Sequence, residues 1–104
     1  MTAKPTVDPL EAAARKSFAA AFGAILKLEP DTGACVWIDG RTSPPALSSS
    51  PPSSAETCVW RGPQDALLRA IASNRAFESA FVAGRILVAG DMSVPARVTL
   101  GDGR

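Results

Sequence analysis

Ala80-Phe81-Val82-Ala83-Gly84-Arg85-Ile86-Leu87-Val88-Ala89-Gly90-Asp91-Met92 carries the strongest structural signal in the chain. Phe77 and Phe81 fall four residues apart, on one face of a short helical segment. Gly84 is the residue type that closes such a segment. Arg85 to Gly90 is then apolar on both faces and predicts a strand. Gly90 stops it, and Asp91 is placed to cap a last helical turn or two between Met92 and Leu100. Pro95 is tolerable only near the start of that turn, because it cannot donate an amide hydrogen bond farther in.

Working outward toward the N-terminus, Gly62-Pro63 opens a second helix over Gln64–Ser73. Leu67/Ile71 and Leu68/Ala72 are its i,i+4 pairs, and Asn74 interrupts it. Glu56 to Arg61 has strand composition. The stretch 42–54, TSPPALSSSPPSS, is nearly all Ser and Pro. Its prolines exclude a central strand, although Ala46 to Ser49 can pair briefly at an edge. Upstream, Ala24–Glu29 and Ala34–Gly40 flank Pro30-Asp31-Thr32-Gly33 and read as a hairpin. Asp8-Pro9 opens a first helix, with Pro9 where its missing N–H costs nothing. Leu10, Ala14, Phe18, Ala21, Phe22 and Ile25 recur at three- and four-residue steps and form its apolar stripe. Cys-Val-Trp occurs twice, at residues 35–37 and 58–60, and reads as similar demands from two strands of one sheet. The organisation is a flexible lead-in over 1–8, one domain over 9–100 and a tail over 101–104. The element order predicts an α+β fold, one sheet with helices on one side.

Composition narrows the chemistry. The 104 residues make one domain, with 46% hydrophobic residues, 20% charged residues and a net charge of +1. That balance excludes a disordered charged tail and gives no footprint for nucleic acid. Histidine and tyrosine are absent, and mechanisms that need imidazole go with them. No Gly-rich phosphate loop occurs, and no cofactor or metal is expected. The longest apolar stretch, Phe18 to Leu26, is about half of what a membrane span needs. No secretory leader is visible, and the chain reads as cytoplasmic with reduced thiols. Cys35 and Cys58 are too few for a disulfide framework and read as small buried hydrophobes rather than a redox pair or metal site. Each sits second in a strand, which leaves open whether they adjoin. Asp91 is read as a cap rather than a catalytic acid. Arg61, Arg69, Arg75 and Arg85 read as solvated, the alternative being a pocket mouth that meets an acidic head group.

The segment Glu56–Leu100 resembles the sterol carrier protein 2 family, in which Ala-Phe-x-x-Gly-Lys, an alternating apolar strand and Gly-Asp-Met close the domain. Phe81, Gly84 and Gly90-Asp91-Met92 carry the match, with Arg85 in place of the common lysine. The N-terminal half agrees in the order of its elements. The resemblance implies a single five-stranded, mixed, mostly antiparallel sheet with helices packed on one face, enclosing an apolar tunnel. It implies binding of sterols, fatty acids, acyl-CoA or phospholipids without catalysis. Several bacterial relatives are lipid-handling accessory domains, including ones in ubiquinone biosynthesis. The Ser/Pro stretch and the short tail after Leu100 depart from the pattern and imply an abbreviated tunnel wall.

An apolar pocket needs aromatic and aliphatic side chains facing inward between sheet and helices. The alternation and helix periods nominate Phe22, Trp37, Trp60, Leu67, Ile71, Phe77, Phe81, Ile86, Val88 and Met92, which equally well simply fill the core. Gly84, Gly90 and Asp91 are the structural motif. An empty 300 Å³ cavity costs on the order of 7 kcal/mol at ~24 cal/mol per Å³. Domain stabilities are only about 5–15 kcal/mol. The pocket is therefore expected to be small, collapsed when empty, or occupied. The partner is expected to be a lipid or other long-chain apolar molecule, with no nucleic acid and no stable membrane insertion. The alternative is an accessory module with a collapsed pocket that acts through a homodimer or a partner enzyme of lipid metabolism.

Overall fold

Pro9 stands at the first turn of α1 (Pro9–Ser17), whose Leu10 and Ala14 are fully buried. The computed structural model describes residues 9–52 and 55–101, so the lead-in 1–8 with its Asp8 cap and the tail beyond 101 lie outside the described residues. The stripe nominated for this helix runs past its end. The Phe18 amide donates the last helical bond to Ala14 at 2.8 Å. Phe22 and Gly23 instead both donate to the Gly40 carbonyl at 2.8 Å, and Gly23 takes a φ of 76°. Once those amides serve Gly40, at the far end of the hairpin, the helix cannot continue. Phe18 and Phe22 stay buried all the same.

The chain then forms β1 (Ile25–Pro30), β2 (Val36–Asp39), β3 (Ala46–Ser48) and β4 (Cys58–Gly62). It continues through α2 (Gln64–Ala70), α3 (Asn74–Val82), β5 (Leu87–Gly90) and α4 (Val94–Arg97). The sheet order is β3-β2-β1-β4-β5. Only β1 and β4 run parallel; the other three pairings are antiparallel. This is the five-stranded mixed α+β sheet that the resemblance implied. The Ser/Pro stretch does supply an edge strand, β3, through Leu47 opposite Ile38; residues 53–54 of that stretch lie outside the described residues.

Register assigns the two faces. Leu26 lies beside Ile38 and Cys58, and Leu28 beside Val36 and Trp60. All six are buried and meet Leu10 and Ala14 of α1, Leu67 and Ala70 of α2, Ile71 just beyond it, and Ala80 of α3. The alternate set, Lys27, Glu29, Trp37, Val59 and Arg61, shares the opposite face. Lys27 Nζ lies 5.2 Å from the Trp37 ring centre, and Glu29 accepts from Lys27 and Arg61 at 3.1 Å each. Trp37 Nε1 donates to Glu56 at 3.1 Å.

Two elements correct the sequence reading. β5, apolar on both faces in composition, is an edge strand: Val88 packs against the core while Leu87 is 65% exposed. Asn74 is no interruption but the first residue of α3. Ser73 Oγ caps that helix by accepting from the Ala76 amide at 3.0 Å. The Asn74 amide then bonds two backbone groups of the C-terminal segment, donating to the Val98 carbonyl at 2.8 Å and accepting from the Leu100 amide at 2.9 Å. The Asn74 side chain is free to do this because Ser73 Oγ already takes the Ala76 amide at the helix start.

Candidate functional site

Aromatic side chains from three segments meet in one continuous run. Phe22 and Phe18 have ring centres 6.0 Å apart, and Phe18 lies 6.2 Å from Trp60. Trp60 stacks on Phe77 at 4.4 Å, and Phe77 lies 6.0 Å from Phe81 with the rings 3° from parallel. Exposure rises outward from Trp60: Trp60 is fully buried, Phe77 half-buried and Phe81 40% exposed. The outer end opens into a groove of about 580 Å³ between α3, β5 and α4. Phe77, Phe81, Val88, Met92 and Pro95 make its apolar walls, with Asn74, Arg75 and Glu78 beside them. Because the space is open to water, the penalty of an empty buried cavity does not apply.

The ten nominated side chains therefore divide. Phe77, Phe81, Val88 and Met92 line the groove, with Met92 53% exposed at its edge. Trp60 lies beneath Phe77. Phe22, Leu67, Ile71 and Ile86 are buried in the core away from it. Trp37 is a correction: it stands on the opposite face of the sheet, over Lys27. Cys35/Trp37 and Val36/Ile38 are both apolar sets, so alternation alone does not say which faces inward, and a one-residue choice of parity moves the whole set. Phe18, Asn74 and Pro95 were not nominated. Phe18 had a signal in the first helix's stripe, whereas the Asn74 clasp had none.

The closing motif shapes this end of the sheet. Gly84 and Gly90 take φ of 75° and 94°, a region that side chains other than glycine rarely adopt. A Cβ on Gly90 would overlap the Thr57 carbonyl, the same group that accepts from the Asp91 amide at 2.7 Å. Asp91 Oδ1 accepts from the Ser93 hydroxyl at 2.7 Å and the Ser93 amide at 2.9 Å. Those bonds hold its carboxyl below the usual range, so it is committed to the turn that leads into α4.

Little else here is poised for chemistry. Burial pushes the Cys58 thiol up, the reverse of an activated nucleophile. Cys58 aligns with Leu26 and hence with Ile38, three residues beyond Cys35 on a strand two away. Strand spacings put the two thiols roughly 14 Å apart, too far for a disulfide. The described residues contain no group of three or more His, Cys, Asp or Glu placed to hold a metal ion. The four arginines scatter. Arg61 pairs with Glu29 on the outer face, Arg75 adjoins the groove, and Arg69 and Arg85 line a separate cleft of about 570 Å³ between α2 and α3. No described helix is long and apolar enough to cross a membrane.

No protein-family model and no curated protein matches the chain. Ten solved chains match its architecture, among them the following two. One is described as UbiJ-SCP2, a ubiquinone synthesis protein: 14% identical, TM-score 0.59, over 88% of this chain and 75% of that one. The other is the apo form of sterol carrier protein 2 from Yarrowia lipolytica: 14% identical, TM-score 0.52, over 86% of this chain and 70% of that one. Sheet order, helix placement and both likenesses agree that this chain has the sterol carrier protein 2-like fold.

Proposed function

We propose that the protein is a non-enzymatic lipid-binding domain that holds a sterol, fatty acyl, acyl-CoA or isoprenoid-type chain in the groove between α3, β5 and α4. The carrying observation is the aromatic run from buried Trp60 to exposed Phe81, whose outer members Phe77 and Phe81 wall the groove and give a long apolar molecule a surface anchored in the core. A carrier needs that arrangement: apolar surface for affinity, and an open side for entry and release. The solved neighbours, one named for sterol carriage and one for ubiquinone synthesis, support a lipid-class ligand.

Fluorescence tests this directly, since Trp60 lies beneath the groove and Trp37 on the far face. A Trp37→Phe variant leaves Trp60 as the one reporter. Titration with a fatty acid, an acyl-CoA and a sterol should give a saturable change with at least one of them. The same ligand should raise the melting temperature by mass action. Neither response with any of the three would refute the reading. The uncovered outer sheet face, with Leu87 65% exposed, favours a second reading, an accessory module acting through a homodimer or partner enzyme. Native mass spectrometry separates them: a co-purified lipid supports the first and a tight lipid-free dimer the second.

A further inference from the structure

The two edges of the sheet are guarded differently. β3 is three residues long and bracketed by Pro44, Pro45, Pro51 and Pro52, which cannot donate to a further strand. β5 carries no proline and no charge, and its composition, apolar on both faces, is that of an interior strand. Its main chain is open as well. The Asp31 amide donates to the Gly62 carbonyl at 2.8 Å, so alternate residues of β4 turn their N–H and C=O to β1, and Val59 and Arg61 turn theirs to β5. Their partners there are Ala89 and Leu87, and the Asp91 amide continues that row by donating to the Thr57 carbonyl. The Val88 N–H and C=O therefore point away from the sheet, and no turn, loop or cap bond reaches them among the described residues. α4 leaves them open, since it runs back beneath the sheet to bring Arg97 beside Gly23. The large hydrophobic side chains left exposed among the described residues, Phe81, Val82, Leu87 and Met92, all fall between residues 81 and 92, around this edge.

We propose that β5 is the interface for a second copy of this chain, and that two β5 strands pair antiparallel about Val88 to join two sheets into one. An antiparallel pair is symmetric, so one strand supplies both halves. With Val88 opposite the partner's Val88, the outward N–H of each donates to the outward C=O of the other. Leu87 then falls opposite the partner's Ala89 on the outer face, large against small, and Ile86 falls opposite the partner's Gly90. Arg85 falls opposite the partner's Asp91, once at each end of the pairing. Arg85 is exposed and makes no ion pair among the described residues. Asp91 Oδ2 has its nearest cation, Arg97, only at 3.9 Å. Sliding one strand by two residues sets Leu87 against either the partner's Leu87 or the partner's Asp91, and the charge match is lost. This self-complementarity in main chain, size and charge selects a second copy over an unrelated partner. The inference holds whatever the groove binds, because the Val88 main chain faces the edge while its side chain faces the groove.

A strand of four residues makes a small interface, so the dimer should form only from the micromolar range upward. Sedimentation equilibrium of the ligand-free protein from about 1 µM to about 1 mM should show monomer passing into dimer. Over the same range hydrogen exchange at the Val88 amide should slow, because that amide faces water in the monomer and is bonded in the dimer. Ala89→Lys puts a charge at an exposed edge position, and should leave the fold intact and the protein monomeric at about 1 mM. Arg85→Gln should weaken the dimer roughly two- to thirtyfold, since two cross-strand ion pairs go with it. A wild-type monomer at about 1 mM would overturn the proposal. A dimer whose Val88 amide exchanges at one rate at every concentration uses another surface and overturns it equally. A monomer that sediments with phosphatidylcholine vesicles gives the exposed side chains to a lipid surface, with the same consequence. Should Ala89→Lys fail to fold, the Val88 amide of the wild-type protein decides alone.

Discussion

Replacing Asn74 by alanine should cost about 2 kcal/mol of stability. The side chain makes two part-buried hydrogen bonds, to the Val98 carbonyl at 2.8 Å and from the Leu100 amide at 2.9 Å. Each such bond contributes about 0.5–1.5 kcal/mol net, and removing one side leaves a backbone group poorly satisfied beside the buried side chains of Val98 and Leu100. Against total stabilities of about 5–15 kcal/mol the variant still folds. At about 4–8 °C per kcal/mol for a domain of this size, the melting temperature should fall by roughly 8–16 °C. Urea denaturation measures the loss as a lower midpoint at unchanged slope. Hydrogen exchange should locate it, with protection lost first at the Leu100 amide. Asn74→Asp sharpens the argument: it keeps an acceptor for Leu100 but turns a carboxylate oxygen toward the Val98 carbonyl, so it should not rescue the alanine variant fully. An Asn74→Ala loss below about 0.5 kcal/mol, the ordinary surface range, would refute the clasp. So would wild-type stability in Asn74→Asp.

The two thiols should react differently. Half-buried Cys35 should be modified by a small thiol reagent in the native protein, and Cys58, buried with its pKa pushed up, only after denaturation; two comparable fast phases would contradict the burial of Cys58. Glu56 gives a pH dependence. The Trp37 N–H holds its carboxyl below the ordinary value, so its contribution is present above the unfolded carboxylate pKa and is lost as pH falls through the folded one. Asp39, lowered by its hydrogen bond to Arg41, acts in the same direction. Glu56→Gln keeps an acceptor for Trp37 and removes the titration, so stability measured from about pH 6 down to about pH 3 should decline less steeply than in wild type; an unchanged slope would refute the assignment.

Much of the fold is legible along the chain because its signals are local. Pro30-Asp31-Thr32-Gly33 specifies the hairpin, Pro63 opens α2, and Gly84 with its positive φ closes the helix before β5. The end of α1 was not legible, because Phe22 and Gly23 leave the helix for a carbonyl contributed by Gly40 after the whole hairpin has intervened. The candidate site divides on the same principle. Phe77 and Phe81 share a face by helical spacing alone, so their pairing could be read. Their union with Trp60, Val88, Met92 and Pro95 required β4, β5 and α4 to be placed against α3.

Element classes, their order and the lack of imidazole are written in the residues alone, because propensity, turn type and composition act over a few residues. Long-range packing chose which apolar set faces inward, and so sent Trp37 to the open face and Trp60 to the core. It alone paired β1 with β4 in parallel and turned Asn74 from an apparent helix break into a clasp. The physical reason is common to all three. Both parities of β2 are apolar, either edge of a strand can pair in either direction, and an amide side chain bonds whatever backbone is brought to it. Local preference is therefore degenerate, and long-range packing chooses among equals.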